Sequence, residues 1–131
     1  MLSPATDWST ISSLVTGFGT LVRFNSSGTI DALNGSTYQA VQTFNYQANT
    51  TYHFTLVVDV TTHTYSVSVY PAGGNGGFGC PSCSTATTIA TNYAFQTSQN
   101  TVPWMDNVGV EMDSTAAGDT EVCNWSENAP F

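Results

Sequence analysis

The chain has 131 residues, of which 40% are hydrophobic and 12% aromatic, so it can form one domain with a packed core. Only 8% of the residues are charged, and Lys plus Arg total 1 against 9 acidic residues, which gives a formal net charge of -8. This balance excludes binding to phosphate backbones and argues against attraction to anionic membranes, because both depend on cationic side chains. The composition indicates a small, acidic β domain.

Short strands separated by turn residues are predicted in the first third of the chain. Residues 19–25 have a strand pattern, 26–28 (Ser-Ser-Gly) predict a turn, and 29–32 continue as a second strand. Asn34-Gly35 is a strong two-residue turn signal, because both residues tolerate positive φ. A further short strand is predicted at 40–44.

The clearest prediction is an antiparallel hairpin between residues 51 and 70. Two runs in which apolar and polar residues alternate are joined by the short polar link 61–63, and a period of two is typical of half-buried strands. The residues predicted to face inward are Tyr52, Phe54, Leu56, Val58 and Val60 on the first strand and Tyr65, Val67 and Val69 on the second.

Further short strands are predicted downstream, at 87–91, 93–95 and, as a final long strand, 102–112. No segment has a sustained helical stripe, so the fold class is all-β, an antiparallel sandwich or jelly roll. The predicted organisation is a single β-sandwich domain over residues 1–131, with a Gly/Cys-rich loop insertion at 72–86 and a polar C-terminal tail at 114–131.

The order of these motifs resembles a secreted concanavalin A-like (laminin-G-like) jelly-roll domain, of the kind appended to bacterial polysaccharide lyases and glycoside hydrolases. The likeness runs from about Trp8 to Cys123. Its motifs are residues 21–25, 28–32, 34–35, 38, 52–54, 59, 63–67, 92–95 and 106–110. The resemblance implies a two-sheet fold and carbohydrate binding, in a secreted or extracellular protein. Strands that usually precede the segment at Leu2 are missing, so pairing through an open sheet edge is an alternative function.

Aromatic side chains outside the alternating core pattern are the candidate carbohydrate-binding residues. Neutral sugars need aromatic faces for their rings and polar groups for their hydroxyls. The candidates are Trp104, Trp125, Trp8, Tyr38 and Tyr70. Alternatively, Trp8 and Trp104 close the ends of the sandwich, whereas Trp125 has polar neighbours that favour exposure. Tyr70 should point away from the core, because it follows the inward-facing Val69. The leading interpretation is a non-catalytic polysaccharide- or oligosaccharide-binding domain.

A glycoside hydrolase or polysaccharide lyase is the remaining alternative. Glycosidases need two carboxyl groups across the scissile bond, and Glu111 and Asp113 would share one face of a strand. His53 and His63 could act as bases or metal ligands. His53 alternates opposite to the core side and His63 lies in a turn, so two solvated histidines is the favoured interpretation.

Calcium is the candidate cofactor, because oxygen ligands from acidic and amide side chains are plentiful. The candidate ligands are Asp106, Asn107 and Asp113, with Asp119 and Glu121 beyond them. No EF-hand loop is present, so such a site would be assembled from separate loops. The alternative, favoured here, is that these side chains are simply solvated.

Three cysteines leave at least one thiol without a partner inside the chain. Cys80 and Cys83 have the spacing of half a zinc site or of a redox motif, but a second pair for zinc is missing. A small disulfide that stiffens the Gly-rich loop is favoured over two idle thiols, and it fits an oxidising compartment. The sequence does not identify a partner for Cys123.

Asn-X-Ser/Thr triplets, the acceptor pattern for N-linked glycans, begin at Asn25, Asn34, Asn49 and Asn124. A chain this rich in Asn, Ser and Thr also produces such triplets by chance, and that is the favoured interpretation.

Overall fold

The computed structural model describes residues 2–3, 17–71, 86–103, 105 and 107–108. Its strands are β1 (Leu2–Ser3), β2 (Val22–Phe24), β3 (Ile30–Asn34), β4 (Thr37–Gln39), β5 (Tyr52–Asp59), β6 (Thr64–Pro71), β7 (Thr87–Ala94) and β8 (Asn107–Val108). They form three antiparallel sheets, in the orders β1-β8, β2-β3-β4 and β5-β6-β7. A single-turn 3-10 helix spans Thr97–Gln99. The described residues are therefore mostly β, as predicted.

The predicted hairpin is confirmed as β5 and β6, which pair in register from Tyr52 opposite Pro71 to Asp59 opposite Thr64. On β5, half-buried and exposed side chains alternate, and on β6 every second side chain is fully buried. The Asp59 carboxylate accepts hydrogen bonds from the Thr61 and Thr62 amides at 2.8 and 3.1 Å, which closes the loop between the strands. These bonds, that from Thr62 most strongly, lower the pKa of Asp59.

The region predicted as two short strands after the Gly-rich loop is one irregular strand, β7. Its pairing with β6 shifts register twice, so that each shift leaves one extra residue on β7. Asn92 has a φ of 50° at the first shift, where its amide donates to the Ser66 hydroxyl at 3.0 Å. At the second, Ile89 and Ala90 are both buried although they are consecutive. These bulges break the alternation and make the strand look like two in the sequence.

The hairpin turns of the first sheet lie close to where the sequence places them. Gly28, with a φ of 80°, lies in the loop between β2 and β3. Asn34 pairs with Thr37, so the two-residue loop between β3 and β4 is Gly35-Ser36 and is displaced by one residue from the predicted Asn34-Gly35. Of these two loop residues, Gly35 alone has positive φ, at 64°, as a type II′ turn requires.

The short strand predicted at 40–44 is wrong, since this segment crosses from one sheet to the other. The Val41 amide donates to the Ile89 carbonyl of β7 at 2.8 Å, and the Ile30 amide of β3 donates to the Phe44 carbonyl at 3.0 Å. A segment that bonds to two sheets in turn cannot extend either as a regular strand. A final strand is predicted at 102–112. Its described residues 102, 103 and 105 do not belong to a strand, whereas Asn107–Val108 form β8.

The two three-stranded sheets share one core in a sandwich-like arrangement. β3 contributes Ile30 and Ala32 to the core, and β6 and β7 contribute most of the rest. The opposite face of β3 is also covered, because Leu33 packs with Phe18 and Leu21 in a second, smaller cluster. The buried residues of the shared core are Ile30, Ala32, Tyr65, Val67, Val69, Ile89, Ala90, Tyr93 and Phe95.

Within the described residues, no helix has the length and hydrophobicity that a membrane crossing requires. The predicted loop insertion at 72–86 lies outside the described residues except for its last residue, Ala86. The end of the predicted final strand, 109–112, and the tail at 114–131 also lie outside them.

Candidate functional site

The side of the β5-β6-β7 sheet that faces away from the core carries a mixed aromatic and hydroxyl surface, which we call the outer face. Because side chains alternate along a strand, the residues between the core residues of β5 and β6 all point to this side. The outer face comprises His53, Thr55 and Val57 of β5, Ser66, Ser68 and Tyr70 of β6, and Thr88 of β7.

An aromatic pair occupies one end of the outer face. His53 lies directly opposite Tyr70 in the β5–β6 register, and their rings stack with centroids 4.9 Å apart and planes 28° apart. Directly opposite residues on one face of an antiparallel pair have Cβ atoms about 5 Å apart, so the β5–β6 register itself brings these two rings together. The prediction that Tyr70 points away from the core is confirmed. His53 also faces away from the core, as its alternation predicts.

A row of hydroxyl groups crosses the sheet beside this pair. Thr55 is opposite Ser68, and Ser68 is in turn opposite Thr88, so three strands each place one hydroxyl in line. Adjacent strands lie about 4.8 Å apart, and the row is about 7 Å along the strands from the aromatic pair. Each hydroxyl can both donate and accept a hydrogen bond. The outer face therefore combines a stacked aromatic pair with an ordered set of neutral polar groups.

Tyr38, the other described candidate for stacking, lies in a different environment. The Arg23 guanidinium carbon is 3.6 Å from the centroid of the Tyr38 ring, and Tyr38 packs against the smaller cluster around Leu33. Both contacts cover ring surface that a sugar would need. Its assignment to carbohydrate binding stays a prediction, and the geometry favours Tyr70 over Tyr38.

Arg23, the single cationic residue of the sequence apart from its histidines, is already engaged. Its Nε and Nη2 donate to the Asp31 carboxylate at 2.7 and 3.2 Å, and this hydrogen bonding raises the pKa of Arg23. Asn25 adds a third donor to the same carboxylate, through Nδ2 at 2.8 Å. The positive charge is thus neutralised within the β2–β3 hairpin and is not directed toward a ligand.

A second aromatic group closes one side of the core between the two sheets. Phe24 of β2 contacts the rings of Tyr46, Tyr52 and Phe54 with centroids 5.0 to 6.0 Å apart. Phe44 adds an edge contact to Tyr52. The Tyr46 hydroxyl donates to the Asn25 carbonyl at 2.9 Å. Although Phe24 is 48% exposed, the mutual contacts of these rings indicate a packing role at the rim of the core.

His63 is half-buried in the β5–β6 loop, whereas the sequence suggests a fully solvated side chain. It adopts a φ of 54°, its Nε2 lies 3.1 Å from the Val102 carbonyl oxygen, and its ring meets Phe95 edge-on at 5.7 Å. His53 and His63 lie at opposite ends of the β5–β6 hairpin. Among the described residues, no three His, Cys, Asp or Glu side chains are grouped so that they could hold a metal ion.

Most of the remaining predicted site residues lie outside the described residues, and their roles stay predictions. Of Asn107, the structure describes the backbone, which forms β8 opposite Ser3. The predicted site residues that lie outside the described part of the chain are Trp8, Trp104 and Trp125 for carbohydrate binding, Glu111 and Asp113 for catalysis, Asp106 and Asp113 for calcium binding, and Cys80 and Cys83 for the disulfide.

The pairing of His53 with Tyr70 is not among the predictions made from the sequence, where each residue has a separate role. The signal was present in the hairpin: if Asp59 and Thr64 flank the loop, counting back along both strands places residue 53 opposite residue 70. A register assigned from the loop would therefore have identified the stacked pair.

Comparisons of this chain with protein-family models, with curated proteins and with solved structures gave no match.

Proposed function

We propose that the chain is a secreted, non-catalytic carbohydrate-binding domain with a jelly-roll fold, acting within a polysaccharide-degrading system, and that it binds glycans on the outer face. The observation that carries this proposal is the stacked His53–Tyr70 pair on the side of the sheet that faces away from the core of the described residues. Rings on that side gain nothing from core packing, whereas the apolar face of a sugar ring is a suitable stacking partner.

The hydroxyl row supports a glycan as the ligand. Sugar hydroxyls need partners that donate and accept, and Thr55, Ser68 and Thr88 supply such groups beside the aromatic pair. A site with an apolar platform and a few fixed polar groups is the usual composition of a small-ligand site. A linear chain lying across the strands would meet one hydroxyl about every 4.8 Å.

The charge distribution indicates a neutral glycan. A uronate or sulfated polymer would need cationic partners, but Arg23 is bound to Asp31 and the formal net charge of the chain is -8. The charged group at the far end of β5, Asp59, is acidic and would repel an anionic chain. Binding of neutral sugars through stacking and hydroxyl contacts should depend little on ionic strength, because no ion pair is formed.

The jelly-roll part of the proposal is supported by the arrangement of the sheets. Two antiparallel three-stranded sheets share one core, and β3 and β7 approach each other through Asn34, whose Oδ1 accepts from the Ala94 amide at 2.9 Å. Antiparallel sheets commonly have one side packed on a core and the other toward solvent, and on the β5-β6-β7 sheet the side toward solvent would be the outer face.

Affinity electrophoresis against a panel of neutral polysaccharides tests this proposal. We expect at least one glycan to retard the wild-type protein, and Tyr70→Ala and His53→Ala each to weaken that binding by about tenfold, the equivalent of about 1.4 kcal/mol for one lost stacking platform. Tyr70→Phe keeps the ring and should retain most of the affinity.

Val41→Ala is the matched control, because Val41 is 55% exposed and lies outside the outer face. Trp104→Ala and Trp125→Ala test whether the glycan binds at the predicted tryptophans or on the outer face. Retardation that is lost in the tryptophan variants and unchanged in Tyr70→Ala would reject the outer face as the site. Absence of retardation on every glycan would reject carbohydrate binding.

Assembly through an open sheet edge is the second candidate function. Among the described strands, none pairs with the edge of β5 that faces away from β6, and Val57 on this strand is 65% exposed. If two copies of β5 pair antiparallel with Leu56 at the centre, His53 of each lies opposite Asp59 of the other. Light scattering should then show a dimer that Val57→Lys disrupts, whereas a monomer at high protein concentration would exclude this function.

A further inference from the structure

We propose that Asn49 is an acceptor for an N-linked glycan when the chain passes through a glycosylating secretory pathway, and that the fold protects Asn25 and Asn34 from the same modification. All three residues begin Asn-X-Ser/Thr triplets and lie in the described part of the chain. All three match the acceptor pattern, with Ser at the third position for Asn25 and Asn34 and Thr for Asn49. They differ in what their amide side chains do in the folded protein.

The Asn25 side chain uses its full hydrogen-bonding capacity inside the β2–β3 hairpin. Its Oδ1 accepts from the Ser27 and Thr29 amides at 3.0 and 3.1 Å. Its Nδ2 donates to the Thr29 hydroxyl at 2.7 Å and to the Asp31 carboxylate at 2.8 Å. An N-linked glycan replaces one of the two Nδ2 hydrogens, so modification would remove one of these donations and place a sugar in a partly buried network. These contacts span at most six residues and can form early, as local hairpins do.

Asn34 is held between two sheets. Its Oδ1 accepts from the Ala94 amide at 2.9 Å, a contact between residues 60 positions apart. The residue that follows, Gly35, donates to the Ala94 carbonyl and accepts from the Thr97 amide, both at 3.1 Å. The first two residues of the triplet are therefore half-buried and bonded to β7 and the segment after it, although Ser36 is exposed. A glycan at this position would separate β3 from β7.

Asn49 has neither restriction. Its side chain is exposed, and none of the described residues forms a hydrogen bond with it. It occupies a turn with a φ of 55° in the segment that leads into β5. Thr51, whose hydroxyl completes the triplet, is also exposed. The acceptor amide and the required hydroxyl thus both belong to side chains that stay exposed in the folded protein.

The modification is a glycosyl transfer from a lipid-linked oligosaccharide diphosphate supplied by the host. The Nδ2 of Asn49 attacks the anomeric carbon, and a carbon–nitrogen bond forms as the bond from that carbon to the diphosphate oxygen breaks. The lipid diphosphate leaves with the electron pair, and Nδ2 loses one proton to the transferase. No oxidant or reductant takes part.

Secretion of the chain from a eukaryotic cell line tests the proposal. Enzymatic deglycosylation in water enriched in oxygen-18 converts each formerly occupied asparagine to an aspartate that carries the heavy oxygen. Peptide mass spectrometry of the secreted protein then gives the occupancy of each triplet, including that at Asn124. We expect most of the molecules to carry a glycan at Asn49 and fewer than about one in ten at Asn25 or Asn34. Asn49→Gln and Thr51→Ala should both abolish the Asn49 label, and Thr51→Ser should retain it.

An unoccupied Asn49 in secreted, folded protein would overturn the proposal, and so would occupancy of Asn25 or Asn34 comparable with that of Asn49. Circular dichroism of the same secreted samples establishes that the variants are folded. The result does not depend on carbohydrate binding at the outer face, because the readout is the covalent label alone.

Discussion

Replacement of Tyr65 by Ala is expected to lower the free energy of unfolding by about 3–5 kcal/mol, as for other large aromatic residues removed from a core. Tyr65 is 1% exposed in the centre of β6 and is the largest fully buried side chain of the described residues. Its hydroxyl lies 2.6 Å from the Leu33 carbonyl of β3 and 3.0 Å from the carbonyl of Leu21, the residue before β2, so one side chain of β6 is bonded to two segments on the other side of the core. Chemical denaturation monitored by circular dichroism measures this loss.

Tyr65→Phe separates the ring from the hydroxyl. The Leu21 carbonyl keeps a second donor, the Leu33 amide at 2.9 Å, so the loss falls mainly on the Leu33 carbonyl. We expect a cost of about 1 kcal/mol, the usual net value of one buried hydrogen bond. Tyr70→Phe on the outer face is the matched control and should change stability by less than about 0.5 kcal/mol. Equal effects of the two Tyr→Phe variants would contradict the assigned role of the Tyr65 hydroxyl.

Alkaline pH gives a second readout for the same residue. Burial raises the pKa of Tyr65 well above the usual value, because the phenolate cannot be solvated in the core. In the unfolded chain this phenol ionises near pH 10, so above about pH 10 the unfolded state binds fewer protons than the folded state. The stabilisation is therefore complete below about pH 10 and is lost as the pH rises further. Stability should fall less steeply with pH in Tyr65→Phe than in the wild type.

The central hairpin was predictable because its signal is local. Residues 52–60 and 64–70 alternate without interruption, and a period of two has one structural interpretation when each segment is short and bounded by polar turns. The ion pair of Arg23 and Asp31 is local in the same sense, since the register set by the 26–28 turn places them opposite each other. Both follow from strands whose pairing is fixed by the turn between them.

The missed features depend on contacts between distant parts of the chain. The segment 40–44 has the composition of a strand, but its amide and carbonyl groups bond to β7 and β3 in turn. The bulges of β7 depend on Asn92, whose φ of 50° is permitted by its side chain but not specified by it. One part of the outer face was predicted, because alternation along the strand gives the direction of Tyr70. Its stacking on His53 was not, because that requires the register between β5 and β6.

Ile30→Ala and Ile89→Ala are each expected to lower the free energy of unfolding by about 2–5 kcal/mol. Ile30 lies on β3 of the first sheet and Ile89 on β7 of the second, and both side chains are 0% exposed within the shared core. Val57→Ala is the matched control, because it removes methyl groups from a side chain that is 65% exposed, and it should cost less than about 0.5 kcal/mol. Denaturation in urea measures all three variants under the same conditions.

Hydrogen exchange then decides whether the two sheets form one cooperative unit. If Ile30 and Ile89 belong to a single core, either substitution should speed exchange in β3 and β6 alike, because the most protected amides open only by global unfolding. Faster exchange confined to β2–β4 in Ile30→Ala, with protection of β5–β7 unchanged, would show two separately stable sheets and contradict the shared core. Two separately stable sheets would also remove the shared core on which the jelly-roll part of the carbohydrate proposal rests.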